Sequence, residues 1–284
     1  MAPEPFSVLL PVWAGDDVEF LGRAFTSVTT EQHRPPDEVV IVQDGPVPEP
    51  LARGLKELVS GSTVPVNHVE LPVNQGLGWA LEAGLAAAQH DIVARMDADD
   101  IALPARFERQ VPMVEDGFDI VGSALTEMGR DEHDLHGVRC PPVAHREIVR
   151  FARFHSPFNH PTVVLRRSAV ARAGGYEHLG SLEDYWLWVR MLASGARSAN
   201  VAQPLLLYRV GAGAYERRGG WRLARYEVDL QVRMRRLGFT SRLEFVRNVL
   251  LRATWRLVPV AARRPLYGFA FRRSGGQLPI ADRK

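Results

Sequence analysis

Short apolar runs alternate with amphipathic segments along the first hundred residues of the chain. The apolar runs predict buried strands at 6–11, 38–42, 66–71 and 92–96. Apolar residues at helical spacing predict helices near 18–28, 51–59 and 79–89. Strands that alternate with helices over short connections predict an α/β fold, with a mostly parallel central sheet and helices on both faces.

The alternation continues less regularly through the rest of the chain. Strands are predicted at 119–123, 161–165 and 205–210, helices near 105–114, 145–154 and 183–193, and an exposed loop at 130–136. Two amphipathic helices are predicted at 221–237 and 242–257. We therefore predict a main domain at 1–210, made of halves 1–103 and 104–210, and a basic helical extension at 211–284.

Candidate ligand-binding residues stand at the C-terminal ends of the first four predicted strands. In chain order, they are Pro11, Trp13, Asp44, Asn74, Asp97 and Asp99. The C-terminal ends of parallel strands meet at one edge of a sheet, and α/β proteins bind their ligands at that edge. The positions of these residues therefore predict a binding site there.

The last of these strands ends in the crowded carboxylates of Asp97, Asp99 and Asp100. Neighbouring buried carboxylates are costly unless a cation neutralises them. Mg²⁺ or Mn²⁺ suits oxygen ligands of this kind, especially beside a phosphate group. On these residues alone, an acidic turn that caps the next helix is an equally good interpretation.

Several classes of site lack their usual sequence signals. Gly76-Leu77-Gly78 lacks the third glycine of the dinucleotide fingerprint and follows the third strand instead of the first. No phosphate loop of the Walker type occurs, and neither does a paired-cysteine or His-Glu-x-x-His zinc motif. We infer that any phosphates bound here are held by metal and arginine.

The composition is that of a globular protein with a full hydrophobic core. The chain has 284 residues, of which 46% are hydrophobic, and a single cysteine, Cys140. One cysteine excludes an intramolecular disulfide and fits a reducing compartment. We expect no signal peptide, and no apolar run reaches the roughly 18 residues that a spanning helix needs.

Positive charge is concentrated in the last quarter of the chain. Residues 215–284 contain 17 Arg and Lys against 5 Asp and Glu, whereas the remainder has 18 against 28. Arginine between aromatic residues on amphipathic helices favours an anionic membrane surface as partner. A helical cap packed on the main domain is the alternative. No nucleic-acid-binding motif occurs, so nucleic acid is not an expected partner.

The motifs together resemble an inverting, family 2-type glycosyltransferase of the Rossmann-like glycosyltransferase A fold. The resemblance rests on Pro11-Val12-Trp13, Val42-Gln43-Asp44-Gly45, Asn74-Gln75-Gly76 and Asp97-Ala98-Asp99-Asp100, followed by Asn159-His160-Pro161-Thr162, Gly174-Gly175-Tyr176 and Glu183-Asp184-Tyr185-Trp186. It covers residues 6–209 and has the character of bacterial polysaccharide-assembly enzymes. It implies that 1–103 is the nucleotide-sugar half of a catalytic domain and 104–210 the acceptor half.

The resemblance also implies roles for the residues at the strand ends. Pro11, Trp13, Asp44, Asn74 and Gly76 would form the nucleotide pocket, with Trp13 stacking on the base and Asp44 accepting a hydrogen bond from it. Asp97 would contact the ribose or the metal, and Asp99 would bind the metal. Arg209, Arg217 and Arg218 are candidate clamps on the diphosphate, or else ordinary surface charge. The helix after Asn74 lacks the arginine that the family often carries there, which weakens the assignment of the donor's nucleobase.

A catalytic base is implied at the start of the helix predicted at 183–193. By resemblance, Asp184 would remove the proton from the acceptor hydroxyl as that oxygen attacks the anomeric carbon, with Glu183 as an orienting neighbour. Acidic residues also favour helix starts for purely structural reasons. His160 is expected to face the acceptor or a third metal position, or to be a packed structural histidine.

The sequence thus predicts a metal-dependent inverting glycosyltransferase with a nucleotide-sugar donor, of which a UDP-sugar is favoured. A glycan or lipid-linked glycan is the expected acceptor, and the expected location is the cytoplasm, peripheral on the inner face of the membrane. One alternative is a sugar-1-phosphate nucleotidyltransferase, although residues 11–17 do not form the glycine-rich basic loop of that class. The other alternative is an inactive membrane-bound scaffold.

Overall fold

The computed structural model describes residues 3–210, 220–253 and 255. The strands in these ranges are β1 (Phe6–Trp13), β2 (Glu38–Asp44), β3 (Val66–Glu70), β4 (Ile92–Arg95), β5 (Ile101–Ala102), β6 (Ile120–Met128), β7 (Leu135–Arg139), β8 (Val164–Arg166) and β9 (Ser198–Arg209). The helices are α1 (Val18–Val28), α2 (Glu49–Gly61), α3 (Leu77–Ala87), α4 (Arg106–Glu115), α5 (His145–Ala152), α6 (Arg167–Arg172), α7 (Glu183–Ala193), α8 (Trp221–Arg236) and α9 (Arg242–Asn248). A 3-10 helix spans His160–Thr162, and a π-helical turn spans Val249–Ala253.

The strands form one sheet in the order β3-β2-β1-β4-β8-β6-β9-β5. β7 lies off this path and pairs with β6. The pairs among β1 to β4 are parallel, and so is the pair β6–β9. Every antiparallel pair involves β5, β7 or β8. The predicted α/β fold with a mostly parallel sheet is confirmed. Its first half brings the C-terminal ends of β1, β2 and β4 to one edge.

Helices cover both faces of this sheet because the central strands are apolar on both sides. In β1, Val8 and Leu10 pack into a core with α1, α2 and α4, whereas Leu9 belongs to a second core with α3, α5 and α7. Alternate residues of a strand point to opposite faces, so a strand buried on both sides is a continuous apolar run. This is why the pattern of 6–11 predicts β1 correctly.

Three elements of the second half differ from the sequence prediction. The segment predicted as a loop at 130–136 runs into β7, whose apolar Leu135 and Val138 are 52% and 55% exposed and therefore give no burial pattern. The predicted strand at 161–165 begins as a 3-10 helix, since Pro161 at its start has no N–H to offer a sheet. The strand predicted at 205–210 starts at Ser198, because β6 pairs with its whole length.

The basic extension packs on the main domain over the part that the structure describes. Leu230 and Met234 of α8 are buried against Trp186 and Val189 of α7. The helix predicted at 242–257 divides into α9 and the π-helical turn, where Arg252 pairs with the carboxylate of Glu227 at 2.6 Å. The boundary at 210/211 stays a prediction, because residues 211–219 lie outside the described ranges.

Within those ranges, no helix combines the length and the apolar character that crossing a membrane requires.

Candidate functional site

A cavity of about 350 Å³ opens at the C-terminal ends of β1, β2 and β4; we call it the strand-end cavity. Its lining residues are Pro11, Val12, Trp13, Asp16, Asp44, Asn74, Gly76, Leu77, Ala80, Asp97, Ala98 and Asp99. This lining includes Pro11, Trp13, Asp44, Asn74, Gly76, Asp97 and Asp99, which were expected to bind the donor or a metal, and does not include the candidate clamp Arg209. Residues from four separate strand ends therefore meet around one space.

Asp44, the last residue of β2, lines the cavity and fixes the loop before α3. Its side chain is buried, and its two carboxylate oxygens accept the backbone N–H groups of Gln75 and Gly76 at 2.8 and 2.9 Å. Gly45 has a φ of +84°, and a Cβ there would lie 2.5 Å from the backbone nitrogen of Asn74. Asp44 therefore has a direct structural role in shaping the loop before α3. Its contact with a base stays a prediction.

Trp13 lies at the mouth of the cavity, with 53% of its surface exposed. Asp16 accepts the backbone N–H of Trp13 at 2.9 Å, which closes the turn after β1. Burial raises the pKa of Asp16 to about 7, and the charges of Asp99 and Asp97 add to this shift. An exposed aromatic face over an acidic cavity is free to stack on a planar group.

Asp97, Asp99 and Asp100 form an acidic cluster at the end of β4. One oxygen from each lies within 4.8 Å of the others. Burial raises the pKa of Asp99 to about 6, with the charge of Asp97 as the next cause, and it raises the pKa of Asp100 well above its usual value. Asp100 is fully buried, and its Oδ2 has no hydrogen-bond partner among the described residues. Carboxylates that resist ionisation and leave an oxygen unpaired fit a divalent cation.

Two buried arginines lie under this acidic cluster, and sequence reasoning missed both. Arg95 is 4% exposed and holds both oxygens of Asp97, one of them at 2.8 Å. Arg106 is fully buried and donates to the backbone carbonyls of Arg95 and Pro161 at 2.6 and 3.0 Å. Burial lowers the pKa of Arg106 to about 9, with the charge of Arg95 as the second cause. The signal for Arg95 was an arginine inside an otherwise apolar strand directly before the carboxylates.

Arg209 lies beneath the acidic cluster. Its Nε donates to the backbone carbonyl of Asp99 at 2.8 Å, its Nη1 donates to the carbonyl of Arg130, and its guanidinium carbon is 3.8 Å from the ring centre of Phe20. Its own backbone N–H donates to Asp100 at 2.9 Å. These contacts use Nε and Nη1 of the guanidinium, and the role of Arg209 as a clamp on a diphosphate stays a prediction. The other candidate clamps, at 217 and 218, lie outside the described residues.

Asp184 stands in the first turn of α7, where its Oδ1 accepts the backbone N–H of Tyr185 at 2.7 Å. Burial raises the pKa of Asp184 to about 6, against the opposing effects of that hydrogen bond and of Arg95. Its Oδ2 lies 3.9 Å from Nδ1 of His160, whose Nε2 lies 3.0 Å from the hydroxyl of Tyr176. A carboxylate with a raised pKa near neutrality is suited to take a proton.

His160 belongs to the surroundings of Asp184. Among the described residues, the group that could hold a metal comprises the three aspartates of the acidic cluster and does not include His160. Burial, followed by the positive charge of Arg95, lowers the pKa of His160 well below its usual value. The imidazole is therefore neutral at pH 7. The hydroxyl of Tyr176 and the ring of Trp188 fix its orientation.

A second, smaller cavity of about 80 Å³ adjoins the strand-end cavity; we call it the side cavity. Its lining residues are Gln75, Gly76, Leu77, Gly78, Trp79, Tyr176, His178, Gly180 and Glu183. Gly76 and Leu77 line both cavities, so the start of α3 forms the ridge between them. The side cavity reaches Glu183, the neighbour of Asp184. The site thus has two compartments, one bordered by the acidic cluster and one close to the base candidate.

Solved structures with the same architecture belong to glycosyltransferases. A mannosyltransferase from Pyrobaculum calidifontis, solved in complex with GDP-Man and Mn²⁺, matches with a TM-score of 0.63 at 18% sequence identity. The match covers 98% of this chain and 77% of that one. The fold is therefore the glycosyltransferase A fold.

Sequence comparison gives the family. The model of "Glycosyl transferase family 2" matches residues 7–174, more than half of the chain. An amylovoran biosynthesis glycosyltransferase of Erwinia amylovora is 37% identical over 92% of this chain and 97% of its own length. A UDP-Gal:alpha-D-GlcNAc-diphosphoundecaprenol beta-1,3-galactosyltransferase of Escherichia coli is 32% identical over 94% and 97%. The chain belongs to glycosyl transferase family 2 and is a glycosyltransferase.

Proposed function

We propose that the protein transfers a sugar, with inversion, from a UDP-sugar to a lipid-linked glycan and needs a divalent metal to do so. The observation that carries the proposal is the strand-end cavity. It unites an exposed aromatic face at Trp13, the acidic cluster and, across the ridge at Gly76 and Leu77, the surroundings of Asp184.

The donor compartment in this proposal is the strand-end cavity. Trp13 stacks on the nucleobase of the donor. Asp44 and Asn74 hold the nucleoside at the ends of β2 and β3. A UDP-sugar is favoured because the relative from Escherichia coli, which matches nearly the whole chain, is named for UDP-Gal. The structural neighbour with GDP-Man is only 18% identical and supports the fold. GDP is therefore the alternative that the experiment must include.

The acidic cluster is the proposed metal site. Asp99 and Asp97 offer oxygens at its open side, and the unpaired Oδ2 of Asp100 lies behind them. Mn²⁺ and Mg²⁺ both fit such oxygen ligands. When bound, the ion supplies Lewis-acid stabilisation of the charge that develops on the departing diphosphate. Arg95 keeps Asp97 in place through its paired contacts.

Asp184 is the proposed base. Its carboxylate takes the proton of the acceptor hydroxyl while that oxygen forms a bond to the anomeric carbon. The bond from that carbon to the diphosphate oxygen breaks on the opposite face, and the nucleoside diphosphate leaves with its electron pair. Attack from the opposite face inverts the anomeric configuration, so no enzyme nucleophile is needed. A positioned base contributes about 10²–10⁴-fold to such a step.

A lipid-linked glycan is the proposed acceptor. Two relatives that cover almost the whole chain are named for amylovoran biosynthesis and for transfer to a GlcNAc-diphosphoundecaprenol. An acceptor of this kind is held at a membrane. Attachment of the enzyme to the same surface would therefore raise the effective concentration of the acceptor at the enzyme.

We further propose that α9 lies on the anionic inner face of the cell membrane. Leu243 and Val246 share one side of this helix and are 85% and 52% exposed, beside the exposed Arg242 and Arg247. Exposed apolar residues beside arginine suit the interface of an anionic bilayer.

Removing the whole extension would also remove the buried part of α8. The sharper variant is therefore Leu243→Ser with Val246→Ser, tested for flotation with anionic and neutral liposomes. Equal flotation of variant and wild type would contradict this membrane contact.

The experiment that tests the donor and the metal is calorimetric titration with UDP and GDP, each with Mn²⁺ and with chelator. We expect micromolar binding of UDP that requires the metal and is lost in Asp99→Ala. The matched control is Asp116→Asn, an exposed aspartate at the end of α4. Metal-independent UDP binding would contradict the metal assignment. Tighter binding of GDP than of UDP would show that the donor is a GDP-sugar.

Turnover tests the proposed donor and acceptor together. With a UDP-sugar and a short-chain GlcNAc-diphosphate lipid, the wild type should form the glycoside and release UDP. The family assignment already favours a glycosyltransferase over a sugar-1-phosphate nucleotidyltransferase. Inversion is read from the anomeric configuration of the product by proton NMR, where retention would exclude the single-displacement step.

A further inference from the structure

The side cavity contains a buried carboxylate with one oxygen that no group of the described residues satisfies. Glu183 is 9% exposed, and its Oε2 is buried without a hydrogen-bond partner among the residues that the structure describes. Leaving a buried polar atom unpaired is energetically unfavourable, and more so when it is charged. A group that belongs in this cavity and offers a hydroxyl would remove that cost.

The lining of the side cavity also includes an aromatic surface. Trp79 lines it from the first turn of α3 and is 55% exposed, although large aromatic side chains are usually buried. Sugar rings combine apolar C–H faces with hydroxyl groups at their edges. An exposed indole and a buried carboxylate oxygen that line the same cavity match both features of such a ring.

The backbone keeps this space open. Gly78 stands in the first turn of α3, and a Cβ there would lie 3.6 Å from Cγ of Glu183. Any longer side chain at 78 would therefore enter the cavity. Gly180, with a φ of +60°, turns the chain on the other side. The cavity volume of about 80 Å³ accommodates several water molecules or the edge of one pyranose ring.

The position of the side cavity indicates which of the two substrates it binds. The ridge of Gly76 and Leu77 separates it from the strand-end cavity, and Glu183 is adjacent to the base candidate Asp184. A sugar seated there would lie next to the compartment of the acidic cluster and against Glu183, the first residue of α7. This is the place of the residue that receives the new bond, because the attacked carbon comes from the donor side.

We propose that the side cavity is the subsite for the acceptor sugar, in which Trp79 packs on the ring of a pyranose and Glu183 hydrogen-bonds one of its hydroxyl groups. This inference rests on the proposed function and adds to it the residues that select the acceptor. Trp79 and Glu183 are binding residues here and do not take part in proton transfer.

The test separates acceptor binding from donor binding. A panel of methyl α-glycosides of glucose, galactose, mannose and N-acetylglucosamine is added to the UDP- and Mg²⁺-saturated protein at pH 8, and contact is detected by saturation-transfer NMR. We expect at least one glycoside to contact the wild type. Its affinity should fall about tenfold or more in Trp79→Ala, which removes the packing surface, and in Glu183→Gln, which removes a charge-assisted hydrogen bond. Gly78→Leu, which fills the cavity, should abolish the contact.

The controls and the kinetics make the outcome decisive. Trp221→Ala and Glu57→Gln change exposed residues of the same types outside both cavities and should leave glycoside binding unchanged. With the short-chain GlcNAc-diphosphate lipid, the three cavity variants should raise the acceptor KM and keep the affinity for UDP. If no glycoside contacts the wild type, or if the variants bind it as well as the wild type, the subsite is wrong. UDP binding and turnover of the wild type decide the proposed function separately.

Discussion

Replacing Asp184 with asparagine tests the proposed base through stability as well as through transfer. The side chain of Asp184 is 22% exposed and receives one hydrogen bond from the backbone, and burial raises its pKa from 3.8 to about 6. A carboxylate with a raised pKa is held in a place that disfavours its charge. Asn keeps the size of the side chain and removes that charge.

The magnitude follows from the shift in pKa. One pKa unit corresponds to about 1.4 kcal/mol, so a shift from 3.8 to about 6 corresponds to about 3 kcal/mol as an upper bound. Because the pKa in the folded state is higher than in the unfolded state, this stability is fully present below pH 3.8 and is lost as the pH rises through about 6. At pH 8 the wild type has therefore lost it, whereas Asp184→Asn has no charge to bury. We expect the variant to be more stable at pH 8 by up to about 3 kcal/mol, and the difference to shrink toward pH 4.

The assay is urea unfolding at pH 4.5, 6 and 8 in the presence of chelator, followed by tryptophan fluorescence. Only the difference between variant and wild type is interpreted, because Glu183 has a pKa raised to about 7, by burial and then by the charge of Asp184, and titrates in the same range. Asp116→Asn serves as the exposed control. The variant should bind UDP as the wild type does and lose transfer by about 10²–10⁴-fold.

Two results would refute this reasoning. A variant that is no more stable than the wild type at pH 8 would show that the site does not resist the charge of Asp184. A variant with normal turnover would remove Asp184 as the base, whatever its stability. Gained stability together with lost transfer is the expected trade-off at an active site.

Three further predictions concern the groups around the base and the acidic cluster. Asp99→Ala should abolish Mn²⁺-dependent UDP binding, and calorimetry with unchanged metal-dependent affinity would contradict the metal site. Arg95→Met should destabilise the fold by about 3–5 kcal/mol in urea unfolding, because Asp97 then loses its buried partner. A loss below about 1 kcal/mol would show that the pair is not needed. Tyr176→Phe should lower kcat about threefold to tenfold at constant affinity for UDP, since it removes the 3.0 Å contact that orients His160. Unchanged kcat would make that contact irrelevant to the reaction.

The first half of the fold was predictable because each strand is buried on both faces. The continuous apolar runs of β1, β2 and β4 have one interpretation, and short connections leave few topologies. β7 was missed because it lies outside the main path of the sheet with exposed Leu135 and Val138, where burial imposes no pattern. The break at Val249 was missed because one turn with i→i+5 hydrogen bonds is too short to give a periodic signal of its own in the sequence.

The lining of the strand-end cavity was predictable for a related reason. Residues such as Asp44 and Asp97 directly follow apolar strands, so the local sequence already places them at the edge of the sheet. Arg209 is a candidate diphosphate clamp because the sequence shows a cation near a glycine-rich segment, and that role stays a prediction. Its carbonyl partners, at 99 and 130, come from distant parts of the chain. No local pattern could have indicated them.

The acceptor side of the site depends on such distant contacts throughout. Tyr176 reaches His160 through its hydroxyl, while its backbone N–H donates to Glu82 of α3 at 2.8 Å. The side cavity exists only because α3, which begins beside the donor compartment, is held against the segment that leads into α7. Its two proposed ligand groups, Trp79 and Glu183, stand a hundred residues apart and each has an ordinary local explanation. Among the described residues, the lack of a partner for Oε2 of Glu183 becomes visible only in the folded chain, and for this reason the proposed acceptor subsite rests on the structure and not on the motifs.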